Sequence, residues 1–168
     1  MKQLAYSIIY QNQINYFLRN FSKLFKAILS RGFWIPPSGN MKLDLKESGE
    51  LNIQTNQTCI VTHLLFWEGY LNFEFTPIFM EMVKKMDVFL DIGANIGKYA
   101  LLSNKIFESK CIIHSFEPTA FAYGLLKKKT STLQNIKTYN LGLGETIKTV
   151  EIYYDLPGSV QSSIVDIC

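Results

Sequence analysis

Acidic residues are missing from the first 43 positions of this 168-residue chain, where Lys2, Arg19, Lys23, Lys26, Arg31 and Lys42 are the only charged side chains. The rest of the chain carries a small excess of acid, so the formal charge of the whole is only +3. An excess that small does not mark a nucleic-acid binder, and none is expected as a partner. Cysteine is scarce. Cys59, Cys111 and Cys168 are scattered, form no CxxC pair and have no metal-ligand spacing, so no metal site is expected and they read as reduced thiols of a cytoplasmic protein. The only histidines, His63 and His114, stand alone, and His114 alternates within an apolar run as a core or edge residue would. No uninterrupted apolar run approaches the roughly 20 residues that a membrane-spanning helix needs. The N-terminus lacks a clean apolar stretch followed by a small-residue cleavage site, so no secretory signal is expected. Without that route the sequons at Asn20 and Asn56 read as chance matches.

What is present is a globular composition, 48% apolar and 14% aromatic, of one domain's length. Over residues 4–31, Ile14, Phe17, Leu18, Phe21, Leu24, Phe25 and Ile28 fall on one helical stripe, with Arg19, Lys23 and Lys26 mainly off it. Gly32 and Pro36-Pro37 close that helix and open a linker. Such a helix packs on its own domain, docks on a partner or lies on an anionic membrane surface. "MKLDLKESGELNIQ" reads as two strands around a Ser48-Gly49 turn. "FTPIFMEMVKK" reads as a short helix with Thr76 as N-cap and Pro77 at its first position.

From residue 87 the rhythm changes. "DVFLDI", "CIIHSFEP" and "NIKTYNLGLGE" read as strands, and "NIGKYALLSNKIF" and "TAFAYGLLKKKTS" as helices between them. Strands alternating with helices of this length make a βαβαβ unit and a parallel sheet. "KTVEIYYD" and "SSIVDI" follow with no intervening helix and are expected to form a hairpin, with Tyr153-Tyr154 as sheet packing. The organisation expected is a helix and linker over 1–40, a β-hairpin and helix lead-in over 41–86, and a ligand-binding α/β unit over 87–168.

The chemistry is expected where the first of these strands ends. Asp91 is followed by Gly93 and Gly97, which suit a tight turn and close helix packing, and ligands of parallel α/β sheets bind beyond the carboxyl ends of the strands. Gly93-Ala94-Asn95-Ile96-Gly97 does not fit the G-x-G-x-x-G dinucleotide fingerprint, and the Asp91 carboxylate would repel a pyrophosphate. It would attract a ligand with an ammonium group, such as S-adenosylmethionine. Glu117 ends the next strand, where an acid accepts hydrogen bonds from ribose hydroxyls, and Pro118 stops the strand. Structural readings stand beside these: Asp91 and Asn95 as helix caps, Gly93 and Gly97 as plain turn residues, and Glu117 as a solvated loop acid.

"FLDIGANIGKYALL", "HSFEP", "NIKTYNLGLGE" and the earlier "LFWEGYLNFEF" together resemble the FkbM-type methyltransferases over roughly residues 41–168. The resemblance implies a class I, Rossmann-like S-adenosylmethionine fold and O-methylation of a hydroxylated small-molecule or glycan acceptor, a sugar or polyketide. It also implies cofactor contacts from Asp91, Gly93, Ala94, Asn95, Gly97 and Glu117, with Glu145 on the adenine side. A K-x-D-x-E-G-like motif, which the family carries near the transferring methyl, does not occur in the sequence. The expectation is therefore a partial sheet: a truncated domain with its donor-binding half present, its catalytic half absent, one side of the 88–92 strand unpaired and no activity alone. An oxidoreductase fragment binding NAD, and a non-catalytic module contacting a membrane or protein through residues 4–31, are the competing expectations.

Overall fold

The computed structural model describes residues 2–45, 49–72, 75–106 and 111–153. Two sheets organise them. Strands β1 (Gly39–Asp44) and β2 (Glu50–Thr55) form the expected antiparallel hairpin, with Met41 opposite Ile53 and Leu43 opposite Leu51. Their alternation sends Met41, Leu43 and Ile53 into the core. Gly49 takes φ +81°, which its turn position requires. Ser48 lies outside the described residues.

Strands β3 (Val88–Ile92), β4 (Ile112–Phe116) and β5 (Ile136–Tyr139) form a parallel sheet in the order β3-β4-β5. Helix α5 (Lys98–Ile106) joins β3 to β4 and helix α6 (Ala120–Thr130) joins β4 to β5. Right-handed crossovers that step in one direction across a sheet put both helices on the same face. Exposure follows that rule. Ile113 and Ser115 are fully buried on the helix side, with Val83 and Ala100 packed there, whereas Val88, Leu90 and Ile92 on the other side are 52–62% exposed. The fold is α/β, and its sheet is compatible with part of a Rossmann-like domain. As expected, β3 has a neighbour on one side only among the described residues.

Two helices complete the middle of the chain. Helix α4 (Thr76–Val83) starts with Thr76 already helical, one residue earlier than its reading as an N-cap, and Phe75 takes the cap position. Helix α3 (Ile60–Glu68) is not foreshadowed by a stripe. It is apolar on nearly every side, so it has little amphipathic period, and it buries Thr62, Leu65, Phe66 and Trp67. Its core extends through Met41, Leu43 and Ile53 of the hairpin to Ile96 and Leu102, so the lead-in and the parallel unit share side-chain packing.

Of the hairpin expected from "KTVEIYYD" and "SSIVDI", residues 148–152 have no regular structure and Tyr153 stands in an isolated bridge. Residues 141–150 are all exposed and pair with no strand among the described residues, and a β-favouring run becomes a strand only against a paired backbone. Tyr154 and "SSIVDI" lie outside the described residues.

The N-terminal segment differs most from its reading. It is two helices, α1 (Lys2–Ile9) and α2 (Asn12–Leu24), broken at Tyr10–Gln11 and ending well before Gly32. Helix α2 is also turned the unexpected way. Asn15 and Arg19 are at most 1% exposed, while Phe17, Phe21 and Leu24 are 53–79% exposed. The cause is the surface that α2 meets. Ser38 and Asn40 are two apart, so their carbonyls leave the same edge of the extended chain at β1. Arg19 donates to both, and also to Asn15 Oδ1 at 2.7 Å. Asn15 in turn donates to the Pro36 carbonyl and accepts from the Ser38 N–H. Edge backbone groups need partners when covered, and a stripe of donors supplies them where leucines would not.

Candidate functional site

The carboxyl ends of β3 and β4 meet at one place. Asp91 and Ser115 are register partners on the covered face, and Glu117 follows one residue beyond β4. The backbone after β3 reverses through Gly93 at φ +77°, Asn95 at +51° and Gly97 at +84°. The two glycines serve different purposes. A Cβ on Gly93 would meet nothing within 4 Å, so that side of the turn is open. A Cβ on Gly97 would sit 2.5 Å from Leu126 Cδ1 of α6, so this glycine permits close packing.

The turn's amides are directed inward. Gly93 and Ala94 N–H both donate to the Phe116 carbonyl at 3.0 Å, Asn95 N–H donates to Glu117 Oε2 at 2.8 Å, and Gly97 N–H donates to the Ala94 carbonyl at 2.8 Å. Asn95 Oδ1 accepts from Ile96 N–H at 2.9 Å, a contact inside the turn that precedes α5 and not a cap on that helix. The turn is thus rigidly tied to the end of β4. These amides hold the turn in shape.

Glu117 is not a solvated acid. It is 5% exposed, and its Oε1 accepts from both the N–H and the hydroxyl of Thr119. With Asn95 on Oε2, three of roughly four carboxylate acceptor positions are filled. Thr119 occupies the N-cap position of α6, so Glu117 links the β3 turn to that helix start. Asn140, just past β5, donates to the Glu117 and Pro118 carbonyls at 2.9 and 3.0 Å and fixes the third strand end beside them.

Asp91 is 6% exposed. Burial pushes its carboxyl up to about 6, and the nearby Glu117 charge adds to that, while a hydrogen bond from the Ala100 backbone and the Lys98 charge act the other way. Ala100 lies in the first turn of α5, so Asp91 satisfies one of that turn's orphan N–H groups. Its Oδ2 is buried without a hydrogen-bond partner. Lys98 is 5% exposed, with Nζ 4.3 Å from the centroid of the Tyr99 ring. Asp91, Gly93, Ala94, Asn95, Gly97 and Glu117 are therefore brought together around one turn.

Beyond Glu117 the β4 and β5 ends border a groove of about 370 Å³ lined by Pro118, Asn140, Leu141, Leu143 and Thr146. Glu145 is exposed between two lining residues and is not itself part of the wall. His114 stays outside the site, on the uncovered sheet face, with Nδ1 2.9 Å from the Tyr139 hydroxyl and the two rings stacked. His63 is half-buried, and burial lowers its pKa. Thr119, Asn140 and Lys98 are the residues sequence reasoning missed. Thr119 carried a signal, since a hydroxyl residue directly before a helical pattern is a cap position. Cys59 and Cys111 are buried free thiols. The chain matches no model of a known protein family, no curated protein and no solved structure.

Proposed function

We propose that the turn after β3 binds S-adenosylmethionine and that the chain is the donor-binding part of an FkbM-type O-methyltransferase, acting on a hydroxylated acceptor such as a sugar or polyketide. The observation that carries this reading is the 2.8 Å hydrogen bond from Asn95 N–H to Glu117, which joins the D-x-G-A-N-x-G turn to the acid of F-E-P in one construction. Asp91 Oδ2 is a buried acceptor with no partner, and such an atom is costly until a donor satisfies it. An ammonium group supplies both donor and opposite charge. Open space beside Gly93 lets a ligand approach the backbone. Glu117 Oε2 keeps one acceptor position for a ribose hydroxyl. The groove beyond Pro118 and Asn140 extends the same surface and suits the flatter end of a nucleoside.

The donor, when bound, supplies a methyl group on a sulfonium. The chain's residues hold and orient it, since transfer depends on lining up an acceptor oxygen with that carbon. A base must also take the hydroxyl proton. No side chain around the turn is assigned that task, and this chain alone is expected to bind donor without turnover.

Calorimetric titration with S-adenosylmethionine, S-adenosylhomocysteine and NAD tests the reading. The first two should bind and NAD should not. Glu117→Gln should weaken both by about tenfold or more, the loss of a hydrogen bond to a charged group. Tighter binding of NAD, or binding of none of the three, overturns it.

A further inference from the structure

We infer that helices α1 and α2 form a membrane foot, which seats the protein on an anionic lipid surface with the outward apolar stripe of α2 in the acyl boundary. Burial gives the first reason. The stripe that would ordinarily be core is outside: Phe17, Phe21, Leu24 and Ile28 are 53–84% exposed. Phe17 stacks on Phe21 at 6.3 Å and Phe21 packs on Phe25 at 5.2 Å, so the rings form a continuous ridge along the helix. Leu4, Tyr6 and Ile8 of α1 are also 46–68% exposed. A ridge of that length is far more than the isolated surface hydrophobes that need no account.

The opposite side of α2 is already used. Asn15 and Arg19 are locked to the Pro36–Asn40 backbone, and Lys26 donates to the Trp67 carbonyl. The helix cannot roll over to bury its apolar side without breaking these bonds. Its orientation is fixed by the body of the protein, and the ridge needs a cover from outside.

Charge selects the cover. Residues 1–43 contain six cations and no acid, so an anionic surface meets no like charge among them. Lys23 is exposed on α2 with its Nζ 4.6 Å over the Phe66 ring, and the Arg31 side chain, 81% exposed, follows in the chain. Arg31 does meet Glu68 at 3.4 Å, a contact that exposure leaves weak. An interfacial helix combines an aromatic and aliphatic face with flanking cations and no acid. No helix among the described residues is long and apolar enough to cross a membrane, so the contact lies along the surface. A second copy of the chain would bring its own Lys23 and Arg31 against these two, and for that reason the lipid surface is the better occupant.

Mix the full chain with phosphatidylcholine vesicles, with or without phosphatidylglycerol, and sediment them. Binding should be about tenfold tighter on the anionic vesicles, the gain expected of two exposed cations near the surface, and should fall with added salt. The Phe21→Trp chain should show fluorescence quenching, beyond that of the parent, by lipids brominated along their acyl chains. Phe17→Ser combined with Leu24→Ser should remove binding while circular dichroism stays unchanged, because both side chains are outside the core. Equal binding to neutral and anionic vesicles, or no added quenching in the Phe21→Trp chain, overturns the inference. So does a soluble dimer that the double substitution converts to monomer without any vesicle binding.

Discussion

Helix α5 turns Ala100, Leu101 and Leu102 inward, all at most 4% exposed, whereas α2 turns Asn15 and Arg19 inward and leaves Leu24 79% exposed. Both are short helices on one domain. What differs is the surface each meets. Helix α5 lies between the parallel sheet and the hairpin core, where it touches side chains, so an apolar stripe is the one that fits. Helix α2 meets a backbone edge whose carbonyls need donors, so the polar stripe fits there. Amphipathicity tells which stripe is oily. The neighbour decides which stripe is buried.

Substitutions on the two inward faces should have the largest effects. Leu102→Ala should cost about 2–5 kcal/mol, the range for a fully buried leucine. Arg19→Ala strands the Ser38 and Asn40 carbonyls and should cost about 2–4 kcal/mol. Urea unfolding followed by circular dichroism measures both. A cost below about 1 kcal/mol for Arg19→Ala would mean that α2 is held by something other than this seam.

Asp91 sits against α5 and carries a pH dependence of its own. Its folded-state value of about 6 lies above the ordinary 3.8, so the native state holds the proton more tightly than the unfolded chain. The stability this gives is present below about pH 4 and is lost as pH rises through about 6, up to about 3 kcal/mol in all. Asp91→Asn keeps an acceptor for the Ala100 N–H and removes the buried charge. It should stabilise the chain at pH 8 and make little difference at pH 4, while weakening S-adenosylmethionine. Thermal melts at the two pH values check this, and a destabilised variant at pH 8 would contradict the burial argument.

A smaller effect separates the two glycines. Gly93→Ala should cost about 1–2 kcal/mol, from backbone strain alone, because nothing lies within 4 Å of the added methyl. Gly97→Ala should cost more, since Leu126 must also move. Equal costs in urea would remove the packing role from Gly97. The smallest effect belongs to the outward apolar surface of α2 and the turns that follow it. Leu24→Ser and Ile28→Ser should each leave stability within about 0.5 kcal/mol of the parent, and a large loss would mean that the stripe is covered within the chain.

The strand, turn and helix order from Val88 to Tyr139 was legible because each element carries a local mark. Apolar runs end in acids, glycines stand where φ turns positive, and lysines crowd the end of α6. The grouping of Asp91, the turn and Glu117 followed from that order, since parallel strands bring their carboxyl ends together. Helix α3 was hidden because a helix surrounded by core has no polar face to reveal its period. Residues 148–152, expected as part of a strand, have no regular structure, and the segment expected to pair with them lies outside the described residues. The internal satisfaction of Glu117 was also out of reach, because it depends on Thr119 and Asn95 approaching from different sides.

Arg19 also gives the two attachments different responses to cold. Peeling α2 from β1 would exchange hydrogen bonds within the chain for hydrogen bonds to water, and the side chains that α2 itself buries there are the polar Asn15 and Arg19. The heat capacity of such a separation is small, because it grows with the apolar area exposed. Separating α5 from its core uncovers Leu101 and Leu102 and carries a large heat capacity. Apolar cohesion fades on cooling, whereas the guanidinium seam keeps its strength. Chilling therefore loosens the packing behind the glycine turn before it loosens the hold of α2 on the hairpin.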